Sequence, residues 1–112
     1  MAFLNAIEGG AGRIVQGAQA DALVAECLAA FAGGNIAALY DLGVAFSTGG
    51  HGVVGDLVEA HKWFNIAAAR GHEEAAWCRA DVAEEMTARE IAEAQRRARE
   101  WLKLDAAERR AA

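Results

Sequence analysis

Three histidines, two cysteines and a crowd of carboxylates are the residues of this chain that could do chemistry, and their spacing limits what that chemistry could be. His51, His61 and His72 give no pair at the i,i+4 spacing of a zinc-binding helix, so no metal site is expected. Cys27 and Cys78 are single, far apart and set in helical patterns, with no recognisable base nearby. Unpaired cysteines of this kind imply a reducing compartment. Glu73, Glu74, Asp81, Glu84 and Glu85 gather on one short segment. Paired carboxylates do acid–base work where an apolar pocket separates their pKa values, and on a surface helix they form a solvated face. The glycines at 49, 50, 52 and 55 have no following Gly-Lys-Ser or Gly-Lys-Thr and no preceding strand, which argues against a phosphate loop. No serine sits in a G-x-S-x-G elbow. The chain is therefore read as a non-enzyme without a cofactor, and an enzyme using the Glu/Asp cluster stands only as a third alternative.

These residues must be held by helices. The chain of 112 residues has no proline and a large share of alanine, which suits close-packed helices in one all-α domain. A net charge of −5 excludes unaided nucleic-acid binding, because that needs cations to neutralise phosphates. The basic residues collect after residue 88 but are interleaved with acids, as on a solvated helix. No apolar run approaches the ~20 residues that span a bilayer, and no leader-like segment opens the sequence, so the expectation is a cytoplasmic protein with no membrane partner.

Glycines punctuate the order of elements. Residues 1–18 form an N-terminal arm or short helix with Phe3, Leu4 and Ile7, ended by Gly9 and Gly10. A helix over residues 19–32 carries Leu23, Cys27, Leu28 and Phe31 and stops at Gly33-Gly34. Asn35 is expected to cap the next helix, whose stripe is Leu39, Leu42, Gly43 and Phe46. Gly43 inside a helix costs roughly 1 kcal/mol against alanine, which implies close approach of a neighbouring helix backbone. A turn from Ser47 to Gly55 leads to Asp56 and Glu59, spaced like a capping box. The helix that follows buries Leu57, Ala60, Trp63, Phe64, Ala67 and Ala68, with Trp63 beneath the turn, and ends at Arg70 and Gly71. Another helical segment spans residues 73–86. Thr87 and Glu90 make a second capping box before a stripe of Ile91, Ala94, Gln95, Ala98, Trp101 and Leu102. Leu104–Ala112 is expected to fray, so that residues 105–112 form a tail.

An internal repeat runs through this order: Gly34, Asn35, Ala38 and Tyr40 return 37 positions later as Gly71, His72, Ala75 and Trp77. A period in that range marks stacked supersecondary units. Ala38, Leu42, Gly43, Phe46, Gly49, Gly52, Val53, Asp56, Ala60, Trp63, Ala67, Ala68 and Gly71 resemble the Sel1-like repeat, patterned A-x-x-x-L-G-x-x-Y, G-x-G-V-x-x-D, A-x-x-W-x-x-x-A-A-x-x-G. The plain tetratricopeptide repeat lacks the G-x-G-V-x-x-D loop. Phe46 departs from the pattern's hydroxylated aromatic, and Gly50 is an extra loop residue. The resemblance implies antiparallel helix-turn-helix repeats stacked as a short α-solenoid with a C-terminal capping helix. Within a domain of residues 19–104, 34–71 would be a full repeat, 72–86 a partial one whose Leu-Gly pair is replaced by Arg79-Ala80, and 87–104 the cap. Secreted relatives staple their hairpins with paired cysteines, a spacing absent here.

In such folds the first helix of each pair lines a concave binding face. Carried onto this sequence, that face comprises Tyr40, Val44, Ser47, Glu74, Trp77, Asp81 and Glu84. Tyrosine and tryptophan anchor many interfaces, and the carboxylates would favour a basic peptide or helix. The competing reading packs Trp77 under the C-terminal helix. The function implied is an adaptor or regulatory module for a protein or peptide partner. Because repeat arrays generally need three or more units, the alternative is a structural homodimer, joined through that same face or through the N-terminal segment and helix 73–86.

Overall fold

A computed structural model describes residues 18–111, so the N-terminal arm falls almost wholly outside the described residues. The described chain is all-helical, with no strand. Its helices are α1 (residues 18–32), α2 (Ala37–Thr48), α3 (Leu57–Ala69), α4 (Glu73–Ala83) and α5 (Ala88–Ala111).

The hub is α3. Its sequence puts small or aromatic residues almost all the way round, and Ala60, Trp63, Phe64, Ile66 and Ala67 are all buried. A helix apolar on so many sides needs several neighbours, and α3 packs on α2, α4 and α5. Alanines make those approaches close: Ala60, Ala67, Ala75, Ala94 and Ala98 have no exposed surface. Trp63 meets Trp101 of α5 edge-on at 5.8 Å.

The cap residues behave unevenly. Asp56 accepts from the Glu59 amide at 3.2 Å, while the Glu59 side chain turns away to Lys62 and Arg97. Thr87 and Glu90 complete both halves of their box, at 3.1 and 2.8 Å. Asn35 is a correction, because its side chain caps nothing. Ile36 takes the N-cap position, and the Asn35 carbonyl accepts from Ala38 instead. In the turn Gly49, His51 and Gly52 take positive φ, His51 at 59°.

Three further expectations change. The segment 73–86 is helical only to Ala83, after which residues 84–86 turn. Gln95 is exposed and leaves the inner stripe of α5. The tail does not fray at 104, because α5 continues to Ala111. Asp105 explains why: it pairs with Arg70 at the end of α3 and with Arg109 one turn on, and Arg109 lies over the Phe31 ring of α1 at 5.3 Å. At the other end of α3, Glu59 binds Arg97 at 2.9 Å, and Arg97 holds Glu93 at 2.7 Å. Arg96 and Arg97 together pull the Glu93 carboxyl down to about 2.

The two clamps give a direction. Glu59 meets Arg97, Trp63 meets Trp101 and Arg70 meets Asp105, so α5 runs parallel to α3 at an offset near 38 residues. It packs on α3 rather than along α4, its neighbour in sequence. Trp101 also reaches Phe31 of α1, ring to ring at 5.9 Å. Helices α1 and α5 therefore touch.

Candidate partner-binding face

The helices α2 and α4 also meet at this offset. Cys78 Sγ lies 3.8 Å from the Tyr40 hydroxyl, 38 residues away. That thiol contact, burial and the nearby Glu74 carboxylate push the Tyr40 phenol up to about 12, so at neutral pH it keeps its proton. The Tyr40 ring stacks on His72 at 4.5 Å, within 11° of parallel. His72 is fixed in turn because its Nδ1 accepts the Ala75 amide at 3.1 Å and caps α4. Tyr40 is thus a rigid half-buried floor between the two helices.

The remaining face residues divide into two groups. Val44 is half-buried against the core, and its carbonyl accepts from Ser47 Oγ at 3.0 Å, so the Ser47 proton is taken up inside α2. Glu74, Trp77, Asp81 and Glu84 are exposed on α4. Trp77 is 75% exposed, which excludes the reading that packs it under the C-terminal helix. The reason is registry: Ala75 and Val82 are the buried side of α4, and Trp77 projects from the opposite side with Glu73 and Asp81 one turn to either side. Tyr40 and Glu74 are brought together, whereas Trp77, Asp81 and Glu84 form an outer stripe at i, i+4 and i+7.

Charge on this face is of one sign. Among the described residues, Glu73, Glu74, Asp81, Glu84 and Glu85 enter no ion pair. The one cation of α4, Arg79, is turned inward to Asn65 Oδ1 at 2.8 Å. All five carboxylates are exposed, so they share no apolar pocket of the kind that paired acid–base catalysis requires. Among the described residues no three His, Cys, Asp or Glu side chains come close enough to hold a metal ion. No described helix is long and apolar enough to cross a membrane.

Sequence reasoning did not find two features. His72 and Cys78 flank Tyr40, and the signal for that was the 37-residue period itself. The second is a cleft of about 570 Å³ between α1 and α5, lined by Leu28, Phe31, Trp101 and Leu104 with Asp105 and Arg109 at its rim. It was hidden by reading 105–112 as a tail. Compared with known proteins, the chain matches no family model, no curated protein and no solved structure at the level taken as significant.

Proposed function

We propose that this chain is a short Sel1-like repeat protein serving as an adaptor or regulatory module, and that it binds a basic peptide or helix on the α2/α4 face. The observation carrying the reading is Trp77, 75% exposed on a helix that carries five exposed carboxylates. An exposed tryptophan ring attracts cations as well as apolar surface, and the carboxylates select for Lys and Arg. Support for the repeat assignment comes from the offset of three contacts, Tyr40 to Cys78, Glu59 to Arg97 and Trp63 to Trp101, each 38 residues apart. The same charges disfavour the homodimer alternative on this face, because a twofold axis through α4 would set carboxylate against carboxylate.

The test is calorimetric titration with an Arg/Lys-rich amphipathic helical peptide and with its Glu-substituted counterpart. The basic peptide should bind, more weakly as salt rises, and Trp77→Ala should weaken it by about 30-fold, the equivalent of ~2 kcal/mol at an interface anchor. Equal binding of the acidic peptide, or an unchanged Kd for Trp77→Ala, would defeat the proposal. Light scattering on the same samples reads the homodimer alternative directly.

A further inference from the structure

The α1/α5 cleft is a second surface, on a different side of α3 from the acidic face. Leu28 and Phe31 form one wall and Trp101 and Leu104 the other. Leu104 is 62% exposed, although it lies on the side of α5 that faces α1 and not on that helix's charged outer side. Such an apolar slot, flanked by fixed charges, is built to be covered.

We infer that the cleft is filled by the chain's own N-terminal segment, with Phe3, Leu4 and Ile7 seated against Phe31, Trp101 and Leu104. Three observations favour this occupant. The first is reach. Gln19, at the start of α1, sits against Gly52 in the α2–α3 turn, and from there to Leu28 and Phe31 is about 14–18 Å along the helix. Residues 8–17 extended would cover about 33 Å, so the segment can double back along α1. The second is the reversal itself, for which Gly9, Gly10, Gly12 and Gly17 supply the backbone freedom. The third is chemistry: residues 1–7 carry no charged side chain, and Phe3, Leu4 and Ile7 fall on one side of a helical turn. Seated there, the segment would cover the apolar side of the cleft formed by Leu28 and Phe31 of α1. This inference does not depend on what binds the acidic face.

The experiment places a photo-crosslinking benzoylphenylalanine at Leu104 of the full chain, with the same group at exposed Ala92 as the control. Equal amounts of isotope-labelled and unlabelled protein are mixed before irradiation. The expected product is a crosslink to residues 1–8 of the same molecule, several-fold above the Ala92 control. Crosslinks between labelled and unlabelled chains would mean that a second copy fills the cleft, and yield no higher than the control would mean that the segment lies elsewhere. Either result overturns the inference. Hydrogen exchange gives a second readout that leaves the fold intact: amides 3–8 should be slowed ~10-fold, and Leu104→Asp should abolish that slowing. Amides 3–8 exchanging at the same rate in both proteins would also overturn it.

Discussion

Gly43 offers the sharpest test of the packing. A methyl group added there would lie less than 3.0 Å from three carbons of the Phe64 ring. The ring cannot retreat easily, because Phe64 is fully buried, Tyr40 stands 5.7 Å behind it and Tyr40 is itself stacked on His72. Overpacking costs about 1–3 kcal/mol, and a ring with no free side argues for the upper end. Against this, alanine in place of glycine in a helix gains about 1 kcal/mol. Gly43→Ala should therefore lose about 2 kcal/mol net, lowering Tm by roughly 10 °C. In a Phe64→Leu background the ring carbons are gone and the sign should reverse, with the alanine adding up to about 1 kcal/mol. The coupling between the two sites, read from urea denaturation of all four proteins, should be near 3 kcal/mol. A Gly43→Ala protein as stable as the wild type would refute the reasoning, because the ring would then be free to move.

Other perturbations follow from the same geometry. His61 is 3% exposed, and burial, then the Arg79 guanidinium, push its pKa below the ordinary 6.5. The unfolded chain then binds a proton that the folded chain refuses, so stability should fall as pH drops below about 6.5. Urea midpoints from pH 7 to 5 should show that slope, and His61→Gln should flatten it. Asp105→Asn removes the acceptor for both Arg70 and Arg109 and should cost about 1–2 kcal/mol, between the exposed and buried limits for ion pairs. Trp63→Ala should cost ~3–5 kcal/mol by thermal melting. Trp77→Ala, at an exposed position, should stay within about 0.5 kcal/mol of the wild type in the same melts.

Much of the fold was legible because it is local. The small and aromatic residues of α3 announced its inner face, though not that it is buried on several sides, and the Thr87–Glu90 spacing announced where α5 begins. The face on α4 was half legible: its carboxylates were plain, but Trp77 became an outer residue only once Ala75 and Val82 were seen to face the core. Long-range facts stayed hidden. Gly43 signalled a close neighbour without saying that it was a phenyl ring rather than a backbone. Beyond Leu104 the apolar pattern weakens, and the clamps that hold the last turns, Arg70 to Asp105 and Arg109 to Phe31, join residues 35 and 78 positions apart. Asn35 failed by one residue of register, Ile36 taking the N-cap position of α2.

The contact between α1 and α5 has a consequence for how the molecule comes apart. In an open row of helices each end melts by itself, and stability is a sum over neighbours. Here Phe31 is gripped by Trp101 and Arg109, so loosening the last helix uncovers the first and loosening the first strips the last. Neither end has a private equilibrium. The contact of α1 with α5, and of α5 with α3, favours one cooperative transition over unravelling helix by helix, with coincident melting by different probes the expected result.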